Sequence, residues 1–127
     1  MLPPQGPNWQ SDHFSSPRNV GRVEGPSGVG RSSNPACGDE LELSVRVAAG
    51  RVAEARFHAK GCSALIATAS LVTAELAGAT LQKARALDPA RLVADAGGLP
   101  ERGQHAIAVV TRALAQALRG DESVPRT

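Results

Sequence analysis

The feature that most restricts the fold is a change of period near residue 60. Leu41, Leu43, Val45 and Val47 alternate with Glu40, Glu42, Ser44 and Arg46. That is the pattern of a strand with one buried face. Ala49-Gly50-Arg51 reads as a tight turn. VAEARFHA then resumes the alternation, with Ala53, Ala55 and Phe57 on one side and Glu54, Arg56 and His58 on the other. Two such runs about a glycine turn predict an antiparallel hairpin, and GVGRSSN (28–34) adds a third, edge strand. From Ser63 the spacing becomes helical. Leu65, Ala69, Val72 and Leu76 share one face of a helix that ends near Gly78. Thr80 is placed to cap LQKARAL, Pro89 to open PARLVADA, and Gly97-Gly98 to close it. A last helix spans roughly 103–119, with Ile107, Val110, Leu114 and Ala117 or Leu118 facing inward. Strands followed by helices predict an α+β fold: a small three-stranded antiparallel sheet with helices packed on one face.

The ends of the chain read differently. Residues 1–31 hold five of the nine prolines and five of the thirteen glycines, a composition that resists regular structure. Only NWQSDHF fits a short helix, stopped before Pro17. The expected organisation is a flexible segment over 1–8, one domain over 9–119 and a flexible tail over 120–127. The aromatic residues number three, Trp9, Phe14 and Phe57, and the net charge is +2 with the arginines scattered. Neither a base-stacking platform nor a phosphate-tracking stripe can be built from these, so nucleic acid is not an expected partner. No apolar run approaches the ~18 residues of a membrane span. MLPPQGPNWQ lacks the charged and apolar regions of a secretory signal. The expected location is therefore cytoplasmic, with no membrane partner, where cysteines stay reduced.

Two cysteines carry the chemical interest. Cys37 lies at the entry to the first long strand, in NPACGDELEL, and Cys62 follows the second, in AKGCSALIATAS. The start of one hairpin strand neighbours the end of the other, so the two thiols can meet across 25 residues (62 − 37) of chain. Cys62 also opens a helix, where free N–H groups favour the thiolate that binds metal or attacks sulfur. The plain alternative is a pair of small core residues, but neither cysteine lies on an apolar stripe and each is next to a glycine. Asp39 reads either as a turn residue or as a hard, exchangeable ligand beside a thiolate. Spacing alone makes His105 a solvent-facing helix-start residue, and Lys60 a solvated charge close to Cys62. Cys37, Asp39, Cys62 and His105 would together suit a tetrahedral zinc ion or a two-iron cluster. A nucleophilic cysteine with His105 as base is the enzyme alternative, although nothing in the spacing demands it.

Four stretches resemble the iron–sulfur cluster assembly scaffold family of the IscU and NifU N-terminal type. SDHFSSPRNVG is similar to its N-terminal signature, NPACGDELEL to its first cysteine motif, and ARFHAKGCSALIATASLVTAELAG to its second. GLPERGQHAIAVVTRALAQAL is similar to its last segment, so the likeness covers about residues 9–119. It implies a small sheet packed on helices. It also implies a non-enzymatic scaffold or carrier for a [2Fe–2S] cluster or iron, with zinc as another occupant of the same site. Implied partners are a cysteine desulfurase, which supplies sulfur, and apo iron–sulfur proteins, which accept the cluster. The implied ligands are Cys37, Asp39, Cys62 and His105.

Two departures stand out. The family's His-Cys pair, whose cysteine the likeness makes the sulfur acceptor, reads His105-Ala106 here. The segment offered to a dedicated chaperone reads LPERG at 99–103, keeping only Leu-Pro, which weakens the expectation of a chaperone partner. The alternative function is thus a zinc-binding module that docks to or modulates a desulfurase without building clusters.

Overall fold

The computed structural model describes residues 8–122. The expected flexible ends, apart from residues 8 and 120–122, lie outside that range. In chain order the elements are α1 (Asn8–Ser15), β1 (Gly28–Asn34), β2 (Asp39–Ala48), β3 (Arg51–Lys60), α2 (Ser63–Leu76), α3 (Leu81–Ala86), α4 (Pro89–Ala96), a single 3-10 turn (Glu101–Gly103) and α5 (His105–Glu122). The strands form one antiparallel sheet in the order β1-β2-β3, and the fold is α+β as expected.

Local chemistry explains several element ends. The Thr80 hydroxyl accepts the Lys83 N–H at 3.1 Å and caps α3. The Asp88 carboxylate accepts the Ala90 N–H at 3.1 Å, with Pro89 in the first turn of α4. Gly97 ends α4 at a φ of 132°, which a side chain rarely adopts.

Leu41, Leu43, Val45, Val52, Ala55 and Phe57 face the helices and are buried with Leu65, Ala69, Val72 and Leu76 of α2. Ala53 does not join them. A register shift at Arg46/Val47 pairs Val47 with Val52 and Arg46 with Glu54, leaving Ala53 exposed and turning Val52 inward. A bulge of this kind reverses which side chain faces the core. Helix α5 supplies Ala106, Val109, Val110, Ala113, Leu114, Ala117 and Leu118. Ile107, expected on that stripe, packs instead against a second small cluster of Trp9, Ala67 and Val93. Trp9 joins that cluster because its indole N–H reaches the Gly98 carbonyl at 2.8 Å.

Two glycines set how close α5 lies to the sheet. A Cβ on Gly28 would stand 1.8 Å from the Ala117 carbonyl oxygen, and one on Gly30 1.8 Å from that of Ala113. The helix backbone thus rests directly on β1.

The N-terminal segment ties the layers together. Asn19 O accepts the Phe57 N–H and the Gly21 N–H donates to Phe57 O, so this segment lies along the free edge of β3. Further on, the Val23 N–H donates to Ser44 Oγ at 3.0 Å. Ser44 is thereby buried on the sheet face opposite the helices. On that same face Glu42 is shared by Arg22 and Arg31, and Glu54 by Arg46 and Arg56.

Candidate metal centre

The centre forms where strand ends meet helix starts. Asp39 opens β2 and is fully buried. Register places Glu40 opposite Lys60, so the end of β3 arrives beside it. Gly61 follows with a φ of +153°, and a Cβ there would lie 2.3 Å from Asp39 Oδ1. The carboxylate fits because that position carries no side chain.

Cys62 is the N-cap residue of α2. Its N–H donates to Asp39 Oδ1 at 3.2 Å, and its Sγ lies 3.9 Å from Asp39 Oδ2. His105 is the first residue of α5. Gly103, which a Cβ would bring 3.0 Å from the Ala64 Cβ, packs the preceding turn onto α2. Gln104 Nε2 ties the same turn to the Leu99 carbonyl at 2.8 Å. His105 Nε2 then lies 2.8 Å from Asp39 Oδ2 and 3.8 Å from Cys62 Sγ. One donor atom from each of the three residues lies within 4.8 Å of the others.

This geometry separates two chemistries. In a nucleophilic triad the carboxylate holds Nδ1 and leaves Nε2 to take the nucleophile's proton. Here carboxylate and thiol both converge on Nε2 of the same ring. A carboxylate only accepts, so Nε2–H donates to Asp39 and is not free to deprotonate Cys62. Three donor atoms this close together could instead hold a metal ion. Thiolate sulfur, imidazole nitrogen and carboxylate oxygen suit zinc or iron. A metal would replace the proton on Nε2 and release that of the thiol. The buried Asp39 charge is a further sign of fit, because a carboxylate removed from water needs a cation or strong donors.

Cys37 is not in this group. It sits in the loop between β1 and β2, where its N–H donates to the Asn34 carbonyl at 3.0 Å. Its exposed Sγ accepts from Asn34 Nδ2 at 3.7 Å. The hairpin logic brings the start of β2 beside the residue after β3, but that start is Asp39. Pairing of Asn34 with Asp39 draws residues 35–38 into a separate tight turn. Ala106, at the position of the family's third cysteine, is fully buried in the main core. Lys60 and His58 are exposed on the far face of the sheet.

The SDHF-PRN segment proves to be architecture. Arg18 Nη2 pairs with Asp12 at 2.8 Å, and the Arg18 N–H donates to Ser70 Oγ at 2.8 Å. His13 Nδ1 lies 2.7 Å from the same hydroxyl, and Asn19 Nδ2 donates to Thr73 Oγ1 at 3.3 Å. The Arg18 hydrogen bond holds the Asp12 carboxyl below its usual range. Burial, reinforced by the Arg18 charge, pushes the His13 imidazole below its ordinary 6.5. These side chains seat α1 and the following segment on α2.

A cavity of about 300 Å³ beside Cys62, lined by Gln10, Ser63, Pro100 and Arg102 among others, had no counterpart in the sequence reading. Two of its lining residues are joined, Gln10 Nε2 donating to Ser63 Oγ at 3.2 Å. Its walls come from segments far apart in the chain, so no local pattern marks them.

Residues 10–122 match the family described as NifU-like N terminal domain. The iron-sulfur cluster assembly scaffold protein IscU 1 of Archaeoglobus fulgidus is 36% identical over 107 residues, covering 84% of this chain and 70% of that protein. The nitrogen fixation protein NifU of Cereibacter sphaeroides is 41% identical over 111 residues, 87% of this chain and 45% of that one. A crystal structure of a nitrogen-fixing NifU-like protein (N-terminal) from Brucella abortus superposes with a TM-score of 0.73, covering 92% of this chain and 94% of that one at 21% identity. The last of these speaks for the fold.

Proposed function

Starting from a chain that belongs to the NifU-like N-terminal domain family, we propose that it is a scaffold on which an iron–sulfur cluster is assembled and from which it is passed on. The observation that carries this reading is the convergence of Asp39, Cys62 and His105 donor atoms within 4.8 Å. The cargo is a [2Fe–2S] cluster or its iron precursor. Cys37 supplies a second thiolate when the β1–β2 loop folds inward from its exposed position. Two thiolates with one carboxylate and one imidazole hold a cluster more loosely than four thiolates. That suits a group that must leave. The scaffold works as one domain over 9–119, without chemistry of its own beyond sulfur transfer. Its partners are a cysteine desulfurase and apo acceptor proteins, and its setting is the cytoplasm. No described helix is long and apolar enough to cross a membrane.

The test is reconstitution with ferrous iron and sulfide in the absence of oxygen. The expected outcome is visible thiolate-to-iron absorption with about two irons and two sulfides per chain, lost in Cys62→Ala. Zinc uptake at the same residues with no chromophore would overturn the scaffold reading in favour of a zinc-binding module.

A further inference from the structure

Cys62 and His105 stand at the starts of two different helices, so their spacing is set by whatever joins the start of α2 to the segment before α5. One direct contact does so: a Cβ on Gly103 would lie 3.0 Å from the Ala64 Cβ. Beside that contact the two segments leave space. A cavity of about 300 Å³ is lined by residues 62–64 of the α2 start, by Pro100, Arg102 and Gly103, and by Gln10 of α1. Close packing fixes distances, and an open cavity does not. Helix α1 grips both segments with adjacent residues. Gln10 Nε2 donates to Ser63 Oγ at 3.2 Å, one residue from Cys62. The Trp9 indole N–H donates to the Gly98 carbonyl at 2.8 Å. Leu99 and Ile107, on either side of His105 in the chain, pack against the cluster that Trp9 forms with Ala67 and Val93. Gln104, next to His105, carries the hold onward through its bond to the Leu99 carbonyl. Helix α1 itself contributes no residue to the donor group.

We propose that Trp9 and Gln10 are positioning residues for the metal centre. Helix α1 is a clasp that holds the start of α2 against the segment before α5, and so keeps the Cys62 and His105 donors at the spacing an ion needs. Loosening the clasp lets the two helix starts separate and weakens the hold on the ion without removing a ligand. The inference deepens the scaffold reading and rests on its metal centre.

The experiment uses the full chain, metal-free and without oxygen, as wild type, Gln10→Ala, Trp9→Phe and Asp88→Ala. The last removes the α4 cap, whose contact is with Ala90, and controls for lost stability alone. Cobalt(II) is titrated in, and its thiolate-to-metal absorption reports affinity and geometry. In parallel the ion-free chains are alkylated with iodoacetamide, and the Cys62 rate is read against that of Cys37 in the same molecules. Gln10→Ala and Trp9→Phe each remove one hydrogen bond. The expected result is a cobalt affinity lower by about fivefold, the worth of one neutral hydrogen bond, with a raised ratio of Cys62 to Cys37 labelling. Asp88→Ala should change neither. Ser63→Ala should match Gln10→Ala, and the two together should weaken binding no further than either alone. No cobalt uptake by wild type, equal affinity or an unchanged labelling ratio in the clasp variants, or an equal fall in Asp88→Ala, would overturn the proposal. An iron–sulfur chromophore in wild type with cobalt affinity indifferent to Trp9 and Gln10 sinks only this inference. Cobalt affinity that follows the clasp in a chain that builds no chromophore sinks only the scaffold reading.

Discussion

Asp39 can occupy its buried position because residue 61 has no side chain. Gly61→Ala would place a methyl 2.3 Å from the carboxylate oxygen, at a backbone angle alanine rarely adopts. The expected outcome is a loss of about 1–3 kcal/mol of stability and weaker metal binding, because the carboxylate must move away from His105 and Cys62. Denaturant unfolding and a zinc titration check both parts, and an unchanged affinity would show that Asp39 is not a ligand. His13 makes a second argument at this scale. Burial first, then the Arg18 charge, depress its folded pKa below 6.5, against a smaller opposing effect of Asp12. Below 6.5 the unfolded chain therefore binds a proton that the folded chain resists. The stability due to a neutral His13 is complete above pH 6.5, declines as the pH falls through the folded value, and then levels off. Unfolding free energy measured against pH should show this slope in wild type and lose it in His13→Gln.

Among the elements, β1 and α5 meet backbone against backbone. The glycines of β1 let the carbonyls of Ala113 and Ala117 lie where side chains would otherwise stand. Gly30→Ala must push α5 off the sheet or distort β1. The expected loss is about 3 kcal/mol or more, seen as a lower denaturant midpoint or as failure to fold. Because α5 begins with His105, the same displacement should also weaken metal binding. Gly50→Ala serves as the contrast, since a Cβ there meets nothing within 4 Å, although its φ of +76° carries a smaller backbone penalty.

For the whole molecule, the centre couples binding to folding. Asp39, Cys62 and His105 come from β2, the start of α2 and the start of α5, so a bound ion joins three elements. An ion that binds only the folded chain adds about 2.7 kcal/mol at a free concentration one hundred times its Kd. Thermal unfolding with and without zinc or ferrous iron should show a rise that a chelator removes and Cys62→Ser abolishes. The rise should shrink on acidification, since protons compete for the thiolate and the imidazole. A metal-induced shift of equal size in Cys62→Ser would place the ion elsewhere.

Periodicity and capping are local. They let the sequence by itself determine the strand–strand–helix order, the cap at Thr80, the opening of α4 at Pro89, the glycine-marked turns and the inward face of α2. The motifs likewise marked Asp39, Cys62 and His105, with nothing in their spacing to show that they meet. Only the tertiary structure decided what depends on register and on contacts between distant segments. The bulge at Arg46/Val47 exposes Ala53, and Trp9 draws Ile107 into a second core. The Asn34–Asp39 pairing leaves Cys37 in a loop outside the donor group. The cavity joining Gln10 and Arg102 to Cys62 exists only once α1, α2 and the turn before α5 are packed together. A side chain's type is written in the chain, but which atoms lie 3 Å from it is set by elements that arrive from elsewhere.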